Sequence, residues 1–441
     1  MKKRRLFGTS GIRGIYGEKI TPELASSVGL ALGNQIKKGK VLVGRDPRET
    51  SFALENALIS GLESTGIDVL KAGVVPTPVL AHSIKEKGCK AGAMITASHN
   101  PPEYNGIKLW QENSMAFTSK LEGKIEEKIE KEKFKRVDWK EIGHSEEVDL
   151  AKDYISKVKK EVRINDRYKI AVDCGGGSNS VIAPLVLSEF SHGLKKVFCE
   201  FDGKFSDRKS EPSKENLKAL RKKVWDEKAD VGFAHDGDGD RLAVVDDLGK
   251  FVEKDILLAL LAKNELESGG VVVVPVDTSK LVWDVVEAEG GEVVMSKVGD
   301  VCVAEKLEKK KGVFGGEPSG CFIFPEFSLC PDGILSSLKV LELMDREDKK
   351  LSETISEMPE YETIRKTVKC KEKNKEKTVK KYSKKLKKLE GVEKTTKIDG
   401  VRVDLEDAWV LVRASGTEPK IRITVEAKDK KRAKELLKEV K

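Results

Sequence analysis

The chain has 441 residues, 39% hydrophobic and 35% charged, a composition that supports about three compact domains with real cores. Its 82 basic residues face 74 acidic ones; the +8 excess is thin for this length, favours an anionic small molecule and argues against nucleic acid. No apolar run approaches the roughly 18 residues of a membrane span, and the basic start Met1–Arg5 leads into no signal-peptide core. The seven cysteines, at 89, 174, 199, 302, 321, 330 and 370, form no C-x-x-C pair, so neither a zinc site nor a disulfide framework is expected, and a reducing cytoplasm is.

In chain order, Leu6–Gly14 is dense in glycine and hydroxyls around Arg13, a loop whose guanidinium suits a phosphate. Helical apolar spacing over Thr21–Gln35, with Pro22 at its start, precedes a strand at Lys40–Gly44, a helix at Ser51–Gly66 and a strand at Asp68–Leu70. That βαβ rhythm predicts a parallel sheet with covering helices. Ala91–Ile95 reads as a buried strand running into Thr96-Ala-Ser-His-Asn-Pro-Pro, which places Ser98 on a polar loop past a strand end, where open α/β sheets hold ligands. Lys120–Lys160 is highly charged and mostly helical in pattern, with a boundary near its end. A strand at Tyr168–Asp173, the turn Gly175-Gly-Gly-Ser178 and a helix at Val181–Glu189 open a second α/β layer; the turn lacks both G-x-G-x-x-G and a P-loop lysine, so it reads as a tight turn and not a nucleotide site. A third layer opens at Phe251–Leu261 and continues with a buried strand at Gly270–Val276, a helix at Ser279–Gly290 and a strand at Glu292–Met295. From about residue 360 the pattern changes. Lys366–Lys397 reads as a solvated, Lys-rich helix, followed by alternating strands at Thr396–Leu405, Ala408–Ser415 and Lys420–Ala427 and a helix at Lys430–Val440. The expected architecture is α/β: three similar mixed or parallel-sheet domains over 1–150, 151–250 and 251–358, and a C-terminal α+β domain over 359–441.

Three further loops carry chemistry. Asp236-Gly-Asp-Gly-Asp240 lies between strands at Asp230–Ala234 and Leu242–Val245; in an extended connection its carboxylates share one face and their repulsion demands a hard cation, Mg2+ or Ca2+. An EF-hand is excluded by Arg241 at its sixth position, Asp247 at its twelfth and strands at its flanks. Gly315-Gly-Glu-Pro-Ser-Gly320, with Glu317 and Ser319, is suited to hydrogen-bonding sugar hydroxyls, and Arg413-Ala-Ser-Gly-Thr-Glu-Pro419, with Arg422 beyond, reads as a phosphate nest. A serine, a cation site, a hydroxyl reader and an anion clamp together suit in-line phosphoryl transfer.

With these four loops in this order, the chain resembles the α-D-phosphohexomutase superfamily over essentially its whole length, and its Gly-Glu-Pro-Ser-Gly loop is similar to that of archaeal phosphoglucosamine mutases. The resemblance implies four domains around a central cleft, a phosphoserine at Ser98, and one Mg2+ per chain held by Asp236, Asp238, Asp240 and the Ser98 phosphate. It implies that Arg13, His99, Lys108 and Arg241 line the reacting phosphate, with Lys108 or His99 in the acid–base role. Glu317 and Ser319 would grip the sugar, and Arg413, Ser415, Gly416, Thr417 and Arg422 the non-reacting phosphate. A hexose 1,6-bisphosphate would be intermediate and activator, converting hexose 6-phosphate, glucosamine favoured, into the 1-phosphate. Glucose or mannose phosphates are the near alternative and a phosphoserine-dependent phosphatase the distant one. A cytoplasmic monomer or homodimer, binding a sugar phosphate and neither nucleic acid nor membrane, completes the expectation. Many relatives carry His after the sugar loop; this chain has Cys321.

Overall fold

The computed structural model describes residues 6–8, 10–266, 269–415 and 419–440. They divide into two compact units, one of residues 1–254 with 319–354, the other of 255–318 with 355–441. The division falls inside the 315–320 loop.

The first unit holds two sheets. The larger runs in the order Ile12–Ile15, Tyr104–Gln111, Cys89–Ile95, Lys40–Arg45, Asp68–Val74, Ser145–Glu147. Its centre is parallel, as the βαβ rhythm predicts, and Tyr104–Gln111 pairs antiparallel with both of its neighbours. Helices Pro22–Ile36 and Ser51–Glu63 cover one face around Val28, Leu32, Val41, Val43, Leu58 and Leu62. Thr21 caps the first of them, its side chain accepting from Leu24 N at 3.3 Å. The charged stretch after 119 departs from expectation. A helix over Ser119–Lys131 stops, the chain docks on the end of helix Ser51–Glu63 through Val137 N to Ser64 O and Gly143 N to Glu63 O, and Ser145–Glu147 joins the sheet edge before the helix Ala151–Val158. Those pairings are tertiary, so periodicity could not reveal them.

The second sheet of this unit runs Leu242–Val245, Val231–His235, Ile170–Asp173, Lys195–Val197. Cys174 and Cys199 form a disulfide with Cα atoms 4.9 Å apart, which corrects the expectation of none: the strand Ile170–Asp173 and its neighbour Lys195–Val197 end side by side, a proximity that spacing of 25 residues does not display. Helix Gly333–Glu347 begins with Asp332, whose side chain caps Ile334 N and Leu335 N at 3.0 Å and accepts from Tyr154 Oη. Burial lifts the Asp332 carboxyl from its ordinary 3.8 to about 6. A raised acid binds more protons folded than unfolded between those values, so stability falls as pH rises through that window, by up to about 1.4 kcal/mol per pH unit. Asp332→Asn, which keeps the cap and an acceptor for Tyr154, should therefore remove this pH dependence. Denaturant midpoints at pH 4 and pH 7 should differ less in the variant than in the parent, and an unchanged difference would refute the assignment.

In the second unit, Val271–Pro275 pairs in parallel with Glu292–Ser296 and Phe314–Gly316, with helices Lys280–Ala288 and Asp300–Lys310 alongside. The C-terminal part is a five-stranded antiparallel sheet in the order Glu362–Lys369, Lys420–Ala427, Ala408–Ala414, Val401–Leu405, Val392–Thr396, backed by helices Lys375–Leu386 and Lys430–Val440. The Lys-rich stretch is thus helical only in its middle. Glu362–Lys369 and Val392–Thr396 are the two edge strands, and lysine on a sheet edge blocks further pairing while Ile364 and Val368 face the core. Arg402, buried between Trp283 and Trp409, donates to Val276 O, Thr278 O and Asp404 and so ties the antiparallel sheet to the loop after Val271–Pro275.

Candidate active site

Ser98 follows the carboxyl end of strand Cys89–Ile95. Its φ is +51°, a left-handed value that a residue with a Cβ adopts at a cost of roughly 1–2 kcal/mol. The Ser98 amide donates to Thr96 Oγ1 at 2.8 Å, and Thr96 Oγ1 donates to Asp46 Oδ2 at 2.8 Å. The turn aims the Ser98 hydroxyl at Asp236, donating to Oδ2 at 2.7 Å, with His99 Nδ1 3.3 Å away.

Asp236, Asp238 and Asp240 are all buried, and one ligand oxygen from each lies within 4.8 Å of the others. They converge by a different route from the expected extended connection. Residues 237–239 form a turn after strand Val231–His235, with Gly239 at φ +74° and its amide donating to Asp236 Oδ1 at 3.0 Å. A Cβ on Gly237 would lie 2.7 Å from Ser98 O, so glycine alone permits this approach. The Gly175–Ser178 turn packs behind the acids, Ser178 N donating to Gly237 O at 2.9 Å.

Lys108, opposite Met94 in the first sheet, donates to Asp238 Oδ2 and Asp240 Oδ2 at 2.7 Å each, and Thr77 Oγ1 also donates to Asp238 Oδ2 at 2.9 Å. The other carboxylate oxygens, Asp238 Oδ1 and Asp240 Oδ1, are buried with no hydrogen-bond partner. Buried oxygens of this kind, beside a hydroxyl that can carry a phosphate, fit a hard divalent cation such as Mg2+. The ammonium of Lys108 already compensates part of their charge. Burial, with Asp240 and Asp238 adding repulsion, holds the Asp236 carboxyl well above its ordinary range. Burial would raise Asp238 too, but Lys108 holds it low; burial opposes the charge on Lys108, and the two carboxylates outweigh it, so Lys108 stays protonated.

Arg241 donates to Glu211 Oε2 at 3.2 Å and its Nε sits 3.8 Å from Asp236 Oδ2. Glu211 also pairs with Lys254 Nζ at 3.4 Å and faces His99 Nε2 at 3.8 Å. His99, half-buried, is pushed down to about 2 by burial and by the charges of Arg241 and Arg13, so it is neutral. Arg13 reaches Asn100 Oδ1 at 3.4 Å and Ser10 Oγ at 3.3 Å, beside the serine loop. The structure thus gathers Ser98, His99, Lys108, Arg13, Arg241 and the three aspartates at one place. Sequence reasoning passed over Arg48, Thr77, Ser210 and Glu211. Of these, only Arg48, two residues after the strand-ending Arg45-Asp46, stood near a signal. Cys321 is buried, and its backbone bridges to Arg241. Ser319 accepts from Lys254 Nζ through its carbonyl at 2.9 Å.

In the second unit, Glu317 is buried and accepts from Gly299 N at 2.7 Å, at the start of helix Asp300–Lys310. Arg413 and Arg422 stand directly opposite each other on paired strands. Like charges placed so repel, which suits an anion between them. Asp399 and Asp277, at 3.3 and 3.7 Å, steady Arg413. Ser415 is buried, and its carbonyl accepts from the buried Lys375 Nζ at 2.6 Å, a lysine that sequence reasoning left on a solvated face. Gly416 and Thr417 lie outside the described residues.

Four family models match the chain in succession: phosphoglucomutase/phosphomannomutase α/β/α domain I over residues 4–136, domain II over 152–249, domain III over 253–361, and the C-terminal domain over 367–441. A Pyrococcus abyssi protein named "Probable phosphoglucosamine mutase" is 45% identical over 435 residues, 98% of this chain and 96% of that one. One of the same name from Methanococcoides burtonii is 45% identical over 426 residues, 96% of each chain. Among solved structures, a phosphoglucomutase/phosphomannomutase family protein from Burkholderia thailandensis is similar at a TM-score of 0.89 and 28% identity, over 98% of this chain and 95% of that one. No helix among the described residues is long and apolar enough to cross a membrane.

Proposed function

We propose, from the premise that this chain belongs to the phosphoglucomutase/phosphomannomutase family and is a hexose-phosphate mutase, that it interconverts glucosamine 6-phosphate and glucosamine 1-phosphate through a phosphoserine at Ser98. The observation that carries the reading is the 2.7 Å contact of Ser98 Oγ with a buried trio of aspartates. The names of the archaeal relatives at 45% identity support glucosamine over glucose or mannose.

In this reading the bond from Ser98 Oγ to phosphorus breaks as phosphorus bonds to the free sugar hydroxyl, which gives up its proton; the product is a hexose 1,6-bisphosphate. The bisphosphate turns over, and its other phosphoryl group passes back to Ser98, whose hydroxyl proton leaves as the ester forms. Asp236, Asp238, Asp240 and the Ser98 oxygen would hold Mg2+, which when bound neutralises phosphoryl charge. Arg13, Arg241 and the protonated Lys108 supply the remaining positive charge. Neutral His99, 3.3 Å from Ser98 Oγ, is placed to take up a proton only once the negative charge of a phosphoryl group offsets the burial and the charges of Arg241 and Arg13 that oppose its protonation. Lys108, locked between two carboxylates, cannot do so while they hold it. Glu317 and Ser319 are assigned to the sugar hydroxyls, and Arg413, Ser415, Gly416, Thr417 and Arg422 to the phosphate that does not react. A phosphatase would need no such second clamp. We place the boundaries of its four domains near residues 150, 250 and 358, a division that the succession of four matched family models supports.

The test is kcat/KM for glucosamine, glucose and mannose phosphates with a trace of hexose 1,6-bisphosphate, alongside free phosphate. Interconversion with glucosamine preferred is expected; phosphate release outrunning interconversion sinks the mechanism. Arg413→Met should raise KM by about 10- to 100-fold, as loss of a charged hydrogen bond of roughly 1.5–3 kcal/mol predicts, with a much smaller change in kcat. An unchanged KM would remove Arg413 from the clamp.

A further inference from the structure

We propose that Arg48 and Ser210 are positioning residues which hold the Ser98 carbonyl and thereby keep the reactive hydroxyl turned toward the acids. The proposal rests on the reading of Ser98 as the phosphoryl carrier.

The Ser98 carbonyl accepts two hydrogen bonds, from Arg48 Nη2 and from Ser210 Oγ, both at 2.9 Å. Arg48 is 1% exposed and Ser210 3%, so neither is placed to meet a substrate. The same guanidinium donates to Asn100 O at 2.7 Å, Pro101 O at 2.6 Å and Tyr104 O at 3.1 Å, and its Nε to Asp46 Oδ2 at 2.9 Å. Three carbonyls of the serine loop and that of Tyr104, the first residue of the next strand, thus converge on one planar cation, a geometry that a lysine cannot reproduce. Asp46 in turn accepts from Thr96, the residue that holds the Ser98 amide. A serine at φ +51° persists only where its surroundings over-determine it, and these contacts are what surround it.

Ser210 acts from the other side. Its hydroxyl donates to Ser98 O and accepts from Gly237 N at 3.0 Å, inside the Asp236–Asp240 turn. One oxygen therefore spans the serine loop and the acid loop and sets the spacing between them. Arg208, itself bonded to Asp173 and His235 O, donates to Ser210 O at 3.3 Å and fixes the residue in place. An error of an ångström in such a spacing is felt in the chemical step more than in binding.

Ser210→Ala should lower kcat by about 10-fold with KM within about twofold of the parent, slow phosphorylation of Ser98 by hexose 1,6-bisphosphate as read by intact mass, and speed hydrogen exchange at the Gly237 amide. Ser210→Thr, which keeps the hydroxyl, should recover most of kcat. Arg48→Lys should lower kcat further and, where it folds, show the same KM-against-kcat split. Full kcat in Ser210→Ala beside an inactive Ser98→Ala would overturn the clamp while leaving the phosphoserine reading intact. A fully active Ser98→Ala would overturn the phosphoserine reading on which the clamp depends, and the Gly237 exchange rate would still report whether Ser210 holds the two loops.

Discussion

Ser98→Ala is expected to abolish interconversion, with kcat falling by at least about 10^4-fold, because the variant has no oxygen to carry the phosphoryl group between the two ends of the sugar. Fold and substrate affinity should survive. The hydroxyl is buried and makes one strong hydrogen bond, to Asp236, whose carboxyl burial and its acidic neighbours already hold well above the ordinary range. Removing a donor from such a group is costly only if it stays charged, and here protonation is at hand. Intact mass after incubation with hexose 1,6-bisphosphate should show one added phosphoryl group in the parent and none in the variant. A variant that retains a tenth of parental kcat would end the assignment of Ser98.

Lys108→Met should produce the second large effect, and it should depend on metal. Without a divalent ion, Lys108 is the cation bonded to both Asp238 and Asp240. Removing one partner of a buried ionic cluster leaves charge uncompensated, at a cost of roughly 3–5 kcal/mol. The unfolding transition of the unit that contains it should drop accordingly in EDTA. Mg2+ should restore much of that loss, and more in the variant than in the parent, since the ion then replaces the positive charge that Lys108 supplied to Asp238 and Asp240. Mg2+ binding should also draw protons off the cluster in the parent, because burial and the repulsion of Asp240 and Asp238 raise the Asp236 carboxyl and a cation opposes that rise. Thermal melts with and without Mg2+ and a pH-stat titration measure both. Equal stability in EDTA for parent and variant would show that the aspartate cluster carries no such charge problem.

Much of the site was legible before any coordinates. Ser98 past a small apolar strand, three aspartates alternating with glycine, and two arginines around a glycine-opened loop are local patterns, and local patterns survive in sequence. The strands Ala91–Ile95 and Leu242–Val245 were readable for the same reason, since four to seven apolar residues between polar breaks leave few other options. The route by which the aspartates converge was not readable. Period-two alternation and a glycine turn write the same five letters, and only the amide of Gly239 bonding to Asp236 separates them.

By itself the sequence determined the α/β class, the order of the loops and the chemical types of group each one presents, because those follow from residue identity and short-range spacing. Tertiary structure alone decided which of these groups meet. Ser98 and Asp236 are 138 positions apart, Lys108 and Asp240 are 132 apart, and Cys174 finds Cys199 only because their strands end together. It also decided the roles of Arg48, Ser210 and Lys375, whose side chains act on backbone carbonyls. A carbonyl is present at every position, so no pattern of side chains announces where one will be needed; the fold chooses it by bringing a donor within 3 Å.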